Sequence, residues 1–173
     1  KARNFAYYEA LTVRDSSLSA STQAVLAAEV GHLALAYDYL AEAALMDLDD
    51  LEHNTRDGLH IASLAGACIG LICGFGGLRD EGGVLRFAPR LPDALTRVAF
   101  RVMFRARRLL IDVRHGKARY SLLEGEPIEI VHHGQRVTVE ARRPAMLRIP
   151  PAPVREAPTQ PAGREPLRRR PSR

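Results

Sequence analysis

Ile61-Ala62-Ser63-Leu64-Ala65-Gly66-Ala67-Cys68-Ile69-Gly70-Leu71-Ile72-Cys73-Gly74-Phe75-Gly76-Gly77 is the stretch on which the fold turns. Up to Cys73 it reads as a helix of small residues. Ala62, Ala65, Gly66, Ala67 and Gly70 let another backbone approach closely, so this helix is expected to be buried against neighbours. Gly74-Phe75-Gly76-Gly77 ends it. After Gly83 the texture changes. Residues 84–87, 96–104, 108–113, 117–123, 127–132 and 135–140 are short alternating runs, punctuated by Pro89, Pro92, Gly116, Gly125 and Gly134. Val98, Phe100, Val102 and Phe104 share one face at period two, with Arg97, Arg101 and Arg105 on the other, which is antiparallel strand patterning. His133-Gly134 suits a tight hairpin turn. Helices first and strands afterwards predict an α+β chain of two segregated units.

Upstream of the division, residues 1–11 read as the end of a helix that begins before Lys1. Apolar residues then recur at Val25, Leu26, Val30, Leu33, Leu35, Tyr37, Leu40, Ala44 and Leu45, a spacing for amphipathic helices. Gly31-His32 separates two of them by a tight turn, and an acidic segment, 47–52, closes the second as a solvated helix end. His53-Asn54-Thr55-Arg56-Asp57-Gly58 is a polar loop. The buried helix from Ile61 needs more partners than these elements supply. The helical part is therefore expected to be the end of a larger helical domain, and the chain, which opens on Lys1, the tail of something longer.

Length and charge bound the function. A chain of 173 residues with 46% hydrophobic content is long enough for one ordinary domain or two small ones, and is not wholly disordered. Two cysteines cannot build a disulfide framework, which points to a reducing compartment. Residues 59–78 are broken by Ser63 and five glycines and do not read as a membrane span. No secretory signal opens the chain. The net charge of +5 hides a division. Residues 142–173 hold nine Arg against two Glu, net +7; residues 1–141 hold 16 basic and 18 acidic groups, net −2. Eight of the 11 prolines also lie beyond residue 141. Residues 142–173 are thus expected to be a disordered, Pro/Arg-rich tail. A non-catalytic module whose basic tail binds a polyanion is one reading of such a chain, and its binding would weaken steeply with salt.

Two places could carry chemistry. Asp15-Ser16-Ser17-Leu18-Ser19 leads into a helix, where paired hydroxyls either cap free N–H groups or join them in holding an anion. His60, at the next helix start, either donates to a phosphate or makes a structural hydrogen bond. Both readings stand open for each. Other candidates fare worse. Cys68 and Cys73 read as core thiols. His132 and His133 alternate across a predicted strand and should not face one site. Asp47, Asp49 and Asp50 lack the glycine and glutamate of a calcium loop, and no zinc spacing or Ser-His-Asp elbow appears.

In order, Tyr7-Tyr8-Glu9, Thr12 with Asp15-Ser16-Ser17-Leu18-Ser19, Ala27-Ala28-Glu29-Val30-Gly31, Ala36-Tyr37-Asp38-Tyr39, the run 54–63 and Gly74-Phe75-Gly76-Gly77-Leu78-Arg79 resemble the C-terminal part of glycoside hydrolase family 65. That family includes maltose, trehalose and kojibiose phosphorylases. The resemblance covers residues 1–141. It implies that residues 1–80 are the last helices of an (α/α)6 catalytic barrel and 81–141 a small antiparallel β-sheet C-terminal domain. The implied activity is inverting phosphorolysis of an α-glucosyl disaccharide of maltose or trehalose type to glucose 1-phosphate and glucose. Inorganic phosphate serves as co-substrate, with no other cofactor and no metal. The family's phosphate site maps onto Ser16, Ser17 and His60. The general-acid glutamate and a lysine near the phosphate would lie upstream, so no catalytic residue is expected here and the fragment alone should be inactive. The chain departs from the family at Arg14, where His is frequent and where a positive charge would remain beside the phosphate, and at Cys68, where an aromatic is frequent. An inverting hydrolase of a trehalose-like disaccharide is the alternative, with water in place of phosphate. The resemblance further implies a cytoplasmic, homodimeric full-length enzyme with neither membrane nor nucleic acid as partner.

Overall fold

Gly31 sets the geometry of the helical unit. At φ 102° it ends the helix α2 (Ser19–Val30), and its N–H bonds to the carbonyls of Ala27 and Ala28. His32 follows, and α3 (Leu33–Leu45) folds back along α2. A shorter helix, α1 (Ala2–Glu9), precedes them and α4 (Ile61–Ile69) follows. The computed structural model describes residues 1–166, and the chain divides into two compact units. One comprises Lys1–Gly74 with the segment returning from Pro153, and the other Phe75–Ala152.

Small residues let the helices touch, but α4 is buried on one face only: Ser63 and Gly66 are buried, whereas Ile61 and Ile69 are exposed, so its expected burial is met in part. Ala20, Ala24, Ala27 and Ala28 on α2 and Ala36 and Ala43 on α3 are buried. A Cβ added to Gly66 would lie 2.5 Å from the Ser21 Cβ. Gly70 meets Leu40 and Ala24, and Gly74 meets Val25 and Ala28. Residues 66, 70 and 74 thus advance along α2 in the same direction as 21, 24 and 25–28. The helix does not stop at a simple cap: it widens into a π-helical turn, Gly70–Phe75. None of the described helices is long and apolar enough to cross a membrane.

The strand unit follows the alternation closely. β2 (Val84–Phe87), β3 (Arg97–Phe104), β4 (Arg107–Arg114), β5 (Lys117–Glu124), β6 (Ile128–His132) and β7 (Gln135–Val139) occupy the six predicted runs. Two strands escape that reading, β1 (Leu78–Glu81) and β8 (Ala145–Arg148). Together they form two four-stranded sheets, ordered β1-β2-β6-β7 and β3-β4-β5-β8. All strand neighbours are antiparallel except β2 and β6, which pair in parallel at Arg86↔Val131 and Phe87↔His132. Inward residues of both sheets make the core. Phe87 from one and Tyr120 from the other bring their rings within 5.1 Å.

His133-Gly134 forms the predicted turn with φ 45° and 87°. That turn overturns the expectation that His132 and His133 point apart. His133 has left the strand's alternation, and the two rings lie 4.8 Å centre to centre. The Arg148 carbonyl can only accept, so His132 Nε2 carries the proton given to it (2.9 Å), and Nδ1 accepts from the Tyr120 hydroxyl (2.8 Å). His133 donates from Nε2 to the Pro89 carbonyl (3.2 Å). Burial holds both imidazoles neutral: it lowers His132, and it takes His133, with help from the neighbouring imidazole, to about 4. In the unfolded chain each would titrate near 6.5. The unfolded state therefore binds more protons below that value, and stability falls with pH from about 6.5 towards 4. Because water reaches part of the His133 ring, its share is expected to be about 1–2 kcal/mol. Urea unfolding at pH 7 and pH 4.5 checks this: His133→Asn should show a smaller acid loss than the native chain, and equal losses would remove His133 as a contributor.

Residues 142–166 differ from the disordered tail expected of them. β8 pairs with β5 at Ala118↔Leu147 and its neighbours, and the Ile149 N–H bonds to the Gly116 carbonyl. The segment from Pro153 then runs along the helices, with Arg155 Nε donating to the Val30 carbonyl at 2.9 Å and Pro166 buried. The segment is poor in apolar area, but it is ordered by strand pairing and by the hydrogen bonds that Ile149 and Arg155 donate to backbone carbonyls. The arginine run 168–170 lies outside the described residues.

Candidate functional site

The matched advance of α4 along α2 makes these two helices parallel, so their N-terminal turns lie at one end of the helical unit. Extending that register back from Gly66 and Ser21 brings the start of α4, at His60, level with the residues just before α2, which include Ser16 and Ser17. Both turns therefore present the positive end of a helix dipole in the same direction. Among the described residues no side chain caps either helix: Leu18 is the N-cap of α2 and His60 that of α4. Neither of the paired serines is the N-cap residue itself. Ser16 accepts through its carbonyl from the Ser19 N–H (3.0 Å) and through Oγ from the Leu18 N–H (3.3 Å), which winds the turn tightly. Ser17 is half-buried.

His60 is held at two points by one carboxylate. Its backbone N–H donates to Asp47 Oδ2 (2.8 Å), and its Nδ1 lies 2.6 Å from Asp47 Oδ1. The Asp47 side chain is only 7% exposed. Nδ1–H facing a carboxylate leaves Nε2 as the nitrogen available to a ligand. The acidic segment is accordingly a solvated helix end only at Asp49 and Glu52, which are exposed. Asp50 accepts from the Thr55 hydroxyl (2.6 Å) and N–H (3.1 Å), and the hydroxyl bond above all draws its carboxyl below the usual range. Two aspartates thus brace the loop that delivers His60.

Arg14 does not stand where an anion could use it. Its backbone has φ 59°, and its guanidinium turns into the helical unit, 3% exposed. There it donates to Gln23 Oε1 (3.1 Å), pairs with Glu42 and lies 4.6 Å from the centre of the Tyr39 ring. Next to it is Glu9, 3% exposed, which accepts from the Tyr39 hydroxyl and from Gln23 Nε2 (3.1 Å). Burial and the adjoining Glu9 carboxylate push the Tyr39 phenol well above its ordinary value. The expected cation beside the serines is therefore a buried structural charge. Pattern reading had no access to this, because the partners lie 9 and 28 residues away. Cys68 is exposed on the described chain and Cys73 half-buried, so the pair is not a core feature.

The model of the glycosyl hydrolase family 65 central catalytic domain matches residues 1–69, and that of the glycosyl hydrolase family 65 C-terminal domain matches residues 78–139. The chain belongs to glycosyl hydrolase family 65. An uncharacterized glycosyl hydrolase of Mycobacterium leprae is 52% identical over 98% of this chain and 22% of its own length. The alpha,alpha-trehalose phosphorylase of Thermoanaerobacter brockii is 40% identical over 80% of this chain and 18% of its own, and the maltose phosphorylase of Bacillus subtilis 36% over 82% and 19%. A solved structure assigned as a kojibiose phosphorylase from the human microbiome superimposes with a TM-score of 0.78 at 26% identity, over 83% of this chain and 20% of that one. The chain spans about a fifth of the length of these family 65 relatives.

Proposed function

We propose that this family 65 chain is the C-terminal part of an inverting glycoside phosphorylase acting on an α-glucosyl disaccharide of maltose or trehalose type. In that reaction a phosphate oxygen attacks the anomeric carbon from the face opposite the glycosidic bond. A general acid, sought outside these residues, protonates the departing oxygen; glucose 1-phosphate and glucose result. Ser16, Ser17 and His60 are assigned to the phosphate. The observation that supports this most is the parallel register of α2 and α4, which directs two helix N-termini to the same end, a setting that favours an anion. Asp47, by fixing the ring of His60, leaves Nε2 as a preset donor when protonated. The reading further takes the full-length enzyme to be cytoplasmic and the fragment alone to be inactive.

Hydrolysis is the second reading, favoured by one observation: the Arg14 charge is committed to Glu42 and does not serve an anion. Assay of the full-length enzyme separates the two. Glucose 1-phosphate formed only when phosphate is supplied supports phosphorolysis, whereas free glucose without phosphate supports hydrolysis. Ser17→Ala and His60→Ala are each expected to raise the KM for phosphate about tenfold or more, the cost of one lost charge-assisted hydrogen bond. An unchanged KM removes the residue from the site.

A further inference from the structure

We propose that residues 153–166 are a clamp that positions the Asp15-Ser16-Ser17 turn, with Arg164 its positioning residue; the functional half of this inference rests on the phosphate assignment just made. The contacts come from one short segment and converge on one place. Gln160 Nε2 donates to Glu9 Oε1 (2.7 Å) and to the Tyr39 hydroxyl (2.6 Å), completing the buried polar cluster beneath the turn. Four residues on, Arg164 grips the two residues that immediately precede the serines. Its carbonyl accepts from the Arg14 guanidinium (2.5 Å), and its own guanidinium pairs with the Asp15 carboxylate.

These contacts supply what the turn lacks locally. Arg14 sits in the left-handed region at φ 59°, a conformation that a non-glycine residue keeps only when its surroundings over-determine it. Glu42, Gln23 and Tyr39 hold the far end of its side chain, and the Arg164 carbonyl is the further acceptor that fixes the guanidinium. Asp15 is exposed, so its direction is set by the Arg164 partner and not by packing. With residues 14 and 15 both anchored to residue 164, the Ser16 and Ser17 hydroxyls are carried on a backbone fixed from behind. Small displacements of such groups are costly, because binding a compact anion depends on several donors meeting it together. Pro161 and Pro166 stiffen the segment on either side of Arg164 and lower the entropy lost in docking it.

The experiment uses the full-length enzyme, native and as Arg164→Ala, Arg164→Lys and a chain ending at Ala152. Amide hydrogen exchange of residues 12–18 and the kinetic constants for inorganic phosphate are measured on each. Faster exchange of this turn in Arg164→Ala and in the truncated chain, with Lys restoring protection in part, supports the clamp. Unchanged exchange overturns it. Should the enzyme show phosphate dependence, Arg164→Ala is expected to raise the KM for phosphate about tenfold while kcat stays within about twofold. A fall in kcat with KM unmoved would overturn the positioning role. Should the enzyme show no phosphate dependence, the phosphorolysis reading fails, and the exchange result alone decides the clamp.

Discussion

Glu42→Ala is expected to lower the stability of the protein by about 3–5 kcal/mol, the cost of removing one partner from a buried ion pair. Arg14 would keep its charge in a site where its side chain is 3% exposed, with Gln23, the Arg164 carbonyl, the Tyr39 ring and the neighbouring Glu9 as company. The loss should show as an early first transition in urea unfolding, followed by tyrosine circular dichroism. Replacing both partners separates charge from shape. Arg14→Met combined with Glu42→Leu should recover part of the loss, since it removes the stranded Arg14 charge while the Glu9 carboxylate keeps its Gln23 and Tyr39 partners. A single-variant cost under about 1 kcal/mol would mean that water reaches the pair, as at surface bridges. Arg164→Ala leaves this pair intact, so its effect on stability should be far smaller than its effect on the turn.

The second large effect is expected at Gly77. It has φ 62°, and an added Cβ would overlap the Ala88 carbonyl group and come within 2.7 Å of the Ala88 nitrogen. The two backbones are close because the Ala88 N–H bonds to the Gly77 carbonyl at 3.1 Å, joining the start of β1 to the end of β2. Gly77→Ala is expected to cost about 3 kcal/mol: about 1 for the left-handed backbone and the rest for backbone that cannot move aside. Gly82 provides the control. Its φ is 63° but nothing lies within 4 Å of its Cβ position, so Gly82→Ala should cost only the conformational part. Equal midpoints for the two variants in urea would show that the Ala88 turn yields, and that packing at Gly77 is loose.

How far the sequence carried the fold depends on the distance over which each element is determined. β3 to β7 were legible because alternation is local, and because glycine or proline marks each turn. β1 was not, because Leu-Arg-Asp-Glu has no alternation and is a strand only through its pairing with β2. β8 was not, because four residues amid prolines and arginines say nothing of partners 25 to 31 residues earlier, at Tyr120, Arg119, Ala118 and Lys117. The same applies to the site. Ser16, Ser17 and His60 are candidates from their places at helix starts alone, and the parallel register of α2 and α4 gives those places a common direction. Asp47 could not be singled out, since its bond to His60 spans 13 residues and loop residues without periodicity. Arg14 was misjudged for a different reason. Residue type announced its charge, but a backbone at φ 59° turned that charge inward.

The returning segment also has a consequence for synthesis. A ribosome releases α1 to α4 long before Gln160, which lies 121 residues after Tyr39 and 151 after Glu9. Until those last residues leave the exit tunnel, the polar cluster between α1 and α3 lacks one of its donors, and the nascent helices wait in a partly closed state. The strand unit, contiguous from Phe75 to Ala152, has no such dependence. It can reach its final form first, although it is translated second. Order of translation and order of completion are thus reversed in this chain, and a premature stop beyond Ala152 would be felt mainly at its opposite end.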